Sequence, residues 1–158
     1  MHLDFEAIGA EAQAMLAPGA EPTQALQAAC QLLRSHVPHY NWVGFYVIRP
    51  TDPGVLHLGP YAGAATDHVR IPFGRGICGQ AAEQNRELWI DDVRLETNYL
   101  ACSLETRAEV VIPIHHGGRM VGQLDIDSHT TAPFSAQDHA FLREISTLAA
   151  PHLAILAL

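Results

Sequence analysis

The sequence predicts an α+β domain: a central antiparallel sheet with helices packed on one face and a loop-covered ligand pocket on the other. Three observations predict it. Helical periodicity gathers toward the two ends of the chain, while the middle holds short runs of β-branched and aromatic residues separated by turn residues. Two pairs of these runs are joined by tight turns, Asp52-Pro53-Gly54 and Gly117-Gly118, which makes them antiparallel hairpins. The second hairpin puts apolar residues at one parity and acids at the other, so one face is core and the opposite face is chemistry.

Composition supports one folded domain over residues 1–158, with 48% hydrophobic and 16% charged residues. A formal net charge of −8 argues against nucleic acid and against anionic membrane surfaces, both of which need a positive footprint. No run approaches the ~20 apolar residues of a membrane span. The opening MHLDFEAIGAEAQAML has no basic region and does not read as a signal peptide. Three cysteines form no framework, which points to a reducing, cytoplasmic setting in which any disulfide is transient.

Taken in order, residues 2–16 read as a helix rich in Ala, Leu and Met, broken by Pro18, Gly19 and Pro22. Residues 23–37 form a second helix, with Leu26, Ala29, Cys30, Leu33 and Val37 at helical spacing and Pro38 as its stop. Cys30 lies on that apolar face, the ordinary place for a small buried thiol. Residues 41–48 and 55–62 are the strands of the first hairpin, and 68–72 is a short third strand. Residues 74–85 are a Gly-rich turn entering a helix, 88–90 a short strand, and 94–106 irregular. The second hairpin follows. Residues 135–156 close the chain as a long helix, with Ser135 as N-cap, Asp138 three residues on, and Pro151 expected to kink or shorten its end.

The register of the second hairpin can be argued from parity. Val110, Ile112 and Ile114 are even-numbered and apolar; so are Met120, Leu124 and Ile126, with Gly122 among them. A plain two-residue turn at 117–118 pairs even with odd positions and sets Val110 beside Asp125, burying a carboxylate in the apolar layer. A three-residue loop at 117–119, or a bulge elsewhere in the ladder, repairs the parity. Glu109 then lies opposite or near Asp127, on the face shared with Asp125.

The run GRGICG (74–79) matches G-x-G-x-x-G, but the segment before it, HVRIPF, is not the buried parallel strand a dinucleotide site needs. The helix N-terminus there could still donate backbone N–H groups to an anion. Ten histidines are scattered, with no C-x-x-C or H-E-x-x-H spacing, so neither a metal nor a cofactor is expected. Cys102 sits in a polar loop, either as a functional thiol or as an incidental one. The three acids are either a solvated polar face, or a site in which a cationic ligand or a retained proton relieves their repulsion. The second reading suits an amine-bearing small molecule with an acid available as proton donor.

The runs NWVGFY (41–46), LGPYAG (58–63), VRIPFGRGICG (69–79), NYLACS (98–103), AEVVIPI (108–114) and VGQLDIDS (121–128) resemble those of the free methionine-(R)-sulfoxide reductases, a branch of the GAF-domain superfamily. The resemblance implies a GAF fold, a homodimer, and reduction of free methionine (R)-sulfoxide with thioredoxin or a low-molecular-weight thiol as reductant. It implies Cys102 as nucleophile, and Glu109, Asp125 and Asp127 as the acidic substrate-binding residues, with Glu109 and Asp127 also serving catalysis. It places Trp42 and Tyr46 around the substrate methyl and sulfoxide groups. The chain departs from the pattern at His68, where the family usually has a recycling cysteine; Cys78 keeps its position. Either Cys78 takes over recycling, or an external thiol reduces Cys102 directly, or turnover is lost. The alternatives to the reductase are a non-catalytic small-molecule-binding GAF module and a thiol redox protein that uses Cys78 with Cys102 and performs no methionine chemistry.

Overall fold

The computed structural model describes residues 3–100 and 103–158. Six strands form one antiparallel sheet in the order β3-β2-β1-β6-β5-β4: β1 Trp42–Val47, β2 Val55–Ala62, β3 Arg70–Pro72, β4 Leu88–Ile90, β5 Ala108–His116 and β6 Arg119–Ser128. Four α-helices accompany them: α1 Phe5–Met15, α2 Pro22–His36, α3 Gly76–Gln84 and α4 Ala136–Leu156.

The sheet separates two apolar layers. On one face α1, α2 and α4 pack over Val43, Phe45, Val110, Ile112, Leu124 and Ile126, and Cys30 is fully buried among them. On the other face Trp42, Tyr46, Leu56, Ile71 and Val111 meet α3 through Ile77, Cys78, Ala81 and Ala82. Strand β1 is buried on both faces because its odd and even residues feed different layers. The expected arrangement therefore holds with one addition: the pocket face is covered by α3 as well as by loops.

The hairpin register follows the parity argument, with Glu109 opposite Asp127 and Val111 opposite Asp125. The two-residue turn is kept, since His116 pairs with Arg119, and the ladder shifts between Ile114 and His115. The extra residue is Val121, between Met120 and Gly122 in the register. One consequence differs from the sequence expectation. The bulge sends Val121 into the helix-side core and Met120 to the other face, so the even-numbered rule stops at Gly122.

Two prolines also behave differently from expectation. Pro22 does not merely break the chain; it is the first residue of α2, where a missing N–H costs nothing, and Glu21 caps that helix through Thr23 N at 3.3 Å and Gln24 N at 2.7 Å. Pro151 does not shorten α4, which runs on to Leu156. Burial of Ala149, His152 and Leu153 outweighs the lost backbone bond, and His152 Nε2 lies 2.8 Å from the Leu16 carbonyl.

Gly122 sits where β6 passes closest to β1 and α4. An added Cβ there would overlap the Tyr46 carbonyl and approach Leu153 Cδ2 to 2.7 Å. Gly122→Ala is expected to destabilise the fold by roughly 1–3 kcal/mol or more, read as a lower urea midpoint at unchanged m-value.

Asp138 is the capping-box residue of α4. Its Oδ2 accepts from Ser135 N at 2.8 Å, and its Oδ1 accepts from Tyr40 OH at 2.6 Å and lies 2.7 Å from His39 Nε2. Burial pushes this carboxyl up, but the bonds from His39, Tyr40 and Ser135 outweigh it and hold the pKa at about 2. Because the folded value is depressed, the stabilisation is complete above the unfolded value near 4 and is lost as pH falls toward 2. Asp138→Asn should remove about 1–2 kcal/mol at neutral pH, after allowance for screening on the partly exposed His39 side, and flatten the acid limb of a Tm-against-pH curve.

Candidate active site

The site is built where β1, β6 and β5 lie side by side. Residue pairing sets Trp42 beside Asp127, and Asp127 beside Glu109; Gly44 stands beside Asp125, which is opposite Val111. Period-two alternation then points Trp42, Tyr46, Gln123, Asp125, Asp127 and Glu109 to one face. Helix α3 brings the Cys78 thiol to 3.7 Å from Glu109 Oε2, and Gln123 Nε2 holds the Cys78 carbonyl at 3.2 Å.

The aromatic wall is fixed. Trp42 Nε1 donates to the Ala64 carbonyl at 3.0 Å, and its ring stacks on Tyr61 with centroids 5.4 Å apart. The indole lies over Gly44, where no side chain could stand. Tyr46 OH donates to the His68 carbonyl at 3.2 Å, which brings the departing position at His68 to the rim of the site.

The acids are not a solvated face. Glu109, Asp125 and Asp127 are 5%, 1% and 2% exposed. Among the described residues, four buried side-chain oxygens have no hydrogen-bond partner: Gln123 Oε1, both Asp125 oxygens and Asp127 Oδ1. All four belong to this site. Buried oxygens of that kind are costly unless a proton or a ligand completes them.

Electrostatics agree. Burial, then the Asp125 charge, push the Asp127 carboxyl well above the usual carboxylate range, with Glu109 opposing. Burial likewise raises Asp125, against the weaker opposing influence of Glu109 and Cys78. Burial and the charges of Asp125, Glu109 and Asp127 push the Cys78 thiol well up, so at neutral pH it is a thiol and not a thiolate. Cys30, in the other layer, is raised by burial alone.

Two cavities flank the acids. A small one of about 10 Å³, room for one water, is bordered by Tyr46, His68, Cys78, Leu100, Glu109 and Asp125. A larger one of about 240 Å³ is bordered by Trp42, Asp127, Asn41, Arg34, Ser103 and His129. Cys102 lies outside the described residues. Its described neighbours in the chain, Leu100 and Ser103, border the small and the larger cavity respectively.

Of the residues singled out in the sequence, the structure thus brings together Trp42, Tyr46, Cys78, Glu109, Asp125 and Asp127. Gln123 was not singled out, although it shares the parity of Asp125 and Asp127 and the same argument reaches it. The G-x-G-x-x-G run is confirmed as a turn and helix: β3 before it has three residues and pairs antiparallel with β2. Its first helical N–H, from Gly76, is not open to an anion, because Asn98 Oδ1 accepts it at 2.9 Å. Cys78 Sγ and a carboxylate oxygen each of Glu109 and Asp125 lie within 4.8 Å of one another, a donor set that a divalent metal could use. The sequence expected no metal, because these donors come from three separate elements and leave no local spacing to read.

Comparison with known proteins now bears on this geometry. The GAF-domain family matches residues 19–154. The free methionine-R-sulfoxide reductase of Escherichia coli is 33% identical over 145 residues, covering 92% of this chain and 81% of that protein. The chain belongs to the free methionine-(R)-sulfoxide reductase branch of the GAF-domain family. The free methionine-R-sulfoxide reductase of Neisseria meningitidis, solved in complex with its substrate, superposes on this GAF domain with a TM-score of 0.86 at 29% identity, covering 95% of this chain and 88% of that one. The type II free methionine-R-sulfoxide reductase of Thermoplasma acidophilum gives a TM-score of 0.79 at 36% identity, covering 96% and 98% of the two chains. No helix among the described residues of this family member is long and apolar enough to cross a membrane.

Proposed function

We propose that the protein reduces free L-methionine (R)-sulfoxide to methionine, with Cys102 as nucleophile. The observation that carries this is the set of buried, unpartnered carboxylate oxygens of Asp125 and Asp127 beside the pinned Trp42 ring. Such oxygens suit a ligand that brings its own ammonium group, and the aromatic wall suits an S-methyl group. Carboxylates that demand an ammonium also account for a preference for the free amino acid, since a residue within a protein has none.

The steps balance without a cofactor. The Cys102 thiolate attacks the sulfoxide sulfur. Protonation of its oxygen weakens the sulfur–oxygen bond, and Asp127, whose carboxyl burial pushes well above the usual carboxylate range, is the proton donor, with Glu109 beside it in the strand register. Asp125 and the remaining carboxylate charge hold the α-ammonium, while Trp42 and Tyr46 hold the methyl side. The hydroxyl passes from the methionine sulfur to the Cys102 sulfur as the sulfur–sulfur bond formed by the attack breaks, so methionine departs as the thioether and Cys102 is left as a sulfenic acid. One thiol condenses with it, releasing water, and a second thiol reduces the resulting disulfide.

We assign the recycling thiols to an external donor. Cys78 is 5% exposed and its thiol is held neutral, so it is a poor attacker at neutral pH. Dithiothreitol is expected to support turnover better than thioredoxin, and Cys78→Ser should keep at least about half of the dithiothreitol-supported rate. Equal support by both donors, lost in Cys78→Ser, would assign recycling to Cys78 instead. Cys30 and Cys78 are free thiols, in keeping with a reducing, cytoplasmic setting, and a homodimer is the assembly proposed. Residues 1–158 act in this reaction as one GAF domain.

The test of the function is turnover with dithiothreitol on three substrates: free methionine (R)-sulfoxide, its (S) epimer and a peptide-bound sulfoxide. Methionine should form from the first alone. Tight ligand binding without turnover of any would instead favour a non-catalytic GAF module.

A further inference from the structure

We infer that Asn98 and Gln80 are positioning residues for the sulfoxide chemistry: they lock the start of the Cys102 loop onto helix α3, the helix that carries Cys78 into the acid site. This inference rests on the reading of Cys102 as nucleophile and adds two residues to it.

Helix α3 has no cap from its own flank, since the Arg75 side chain makes no capping bond. Asn98 supplies one from 22 residues further along. Its Oδ1 accepts from Gly76 N at 2.9 Å, and its Nδ2 donates to the Gly74 carbonyl at 2.7 Å. One end of the amide meets an N–H and the other a carbonyl, so its orientation is fixed by its partners. Gln80, one turn into α3, donates through Nε2 to the Gly76 carbonyl at 2.9 Å and to the Asn98 carbonyl at 2.8 Å. Leu100 then closes over Gly76, where an added Cβ would lie 3.0 Å from Leu100 Cγ.

These contacts give the G-x-G motif a purpose that the dinucleotide reading could not. Gly74 and Gly76 have φ of +89° and +67°, the left-handed region that glycine adopts without strain. That backbone presents one carbonyl and one N–H to a single amide side chain. Asn98 is an exposed residue whose whole side-chain amide is committed to another segment. Two residues beyond Gly76, Cys78 meets Glu109, so the lock fastens the loop to the element that already touches the acids. Catalysis by a positioned nucleophile is sensitive to such fastening, since displacements near 1 Å can cost about a hundredfold.

The experiment compares Asn98→Ala, Asn98→Asp and Gln80→Ala with the wild type, with Cys102→Ser as the inactive reference. Asn98→Ala should lower kcat by about 10- to 100-fold, with KM changed by less than about threefold and Tm by a few degrees. Asn98→Asp, which keeps the acceptor for Gly76 N and loses the donor to Gly74, should fall between the two. Alkylation of Cys102 by iodoacetamide should stay within about threefold of wild type, because positioning and not intrinsic thiol reactivity is lost. Hydrogen exchange at 98–106 should quicken about tenfold in Asn98→Ala while β5 and β6 are unchanged. A kcat within twofold of wild type in both alanine variants would overturn the inference. So would a fall in kcat matched by equal falls in alkylation and Tm. If the wild type itself turns over no sulfoxide, the reductase reading fails separately. Hydrogen exchange then decides the lock, and unchanged exchange at 98–106 overturns it.

Discussion

Replacing Cys102 with serine is expected to abolish the conversion of free methionine (R)-sulfoxide to methionine, by a factor of at least about 10³, the scale on which loss of a catalytic nucleophile registers. Serine oxygen is a far weaker nucleophile than a thiolate and cannot take up the substrate oxygen as a sulfenic acid. The fold should not notice the change, so Tm stays within about 1 °C. Cys30 makes the opposite control. It is fully buried between the helices and the sheet, remote from the acids, and its thiol is 3.6 Å from the Pro60 carbonyl. Cys30→Ala should cost stability and leave kcat unchanged. Methionine release from a stoichiometric mixture, quantified by chromatography, checks both variants. Full activity in Cys102→Ser would remove the nucleophile from the account.

Asp127→Asn is expected to lower kcat by about 10²- to 10⁴-fold, the range for loss of a general acid, and to raise thermal stability at the same time. The two effects have one cause. Burial and the neighbouring Asp125 charge raise the Asp127 carboxyl well above the usual range. Its proton is therefore kept in the folded state at a pH where the unfolded chain has lost it. As pH rises above about 4, the unfolded chain releases this proton and the folded chain does not, so stability falls until the folded value is passed. Asparagine has nothing to ionise and escapes that loss. The sign for catalysis runs the same way: the donor form is the protonated one, so the wild-type rate should fall as pH rises through the raised value, and Asp127→Asn should lack that limb. Thermal melts and kcat profiles from pH 5 to 9 measure both. A variant that is less stable and unchanged in kcat would contradict the assignment.

How much of this could be read in the sequence depended on how local the signal was. Parity along β5 and β6 is a period-two property of adjacent residues, and it placed Glu109, Asp125 and Asp127 on one face and pairing Glu109 with Asp127 in register. The same parity makes Trp42 and Tyr46 neighbours across Gly44. The site of the bulge was not legible, because one extra residue anywhere in the ladder repairs the parity; in the structure it is Val121, which joins the helix-side core, while Met120 lies against the other layer. Nor was the depth of burial. Acids on a strand face look solvated until α3, Leu100 and Ser103 are set around them, and α3 is short and Gly-rich, with little periodicity to say which face of the sheet it takes. The closeness of Cys78 to Glu109, the bridge from Gln123 to the Cys78 carbonyl, and the Asn98 cap of α3 are contacts across 31, 45 and 22 residues that no local pattern announces. Pro151 shows the reverse case, in which a strong local rule is overridden by a buried helix face.

In the proposed reaction, oxygen passes from the substrate to Cys102. Fully reduced protein should be mixed with a stoichiometric amount of free methionine (R)-sulfoxide in the absence of any reductant, and the products weighed by mass spectrometry in the presence of a sulfenic-acid trap. The expected result is one methionine per chain and one trapped adduct, on Cys102. Sulfoxide left intact, or methionine formed with Cys102 unmodified and another residue carrying the adduct, would contradict it.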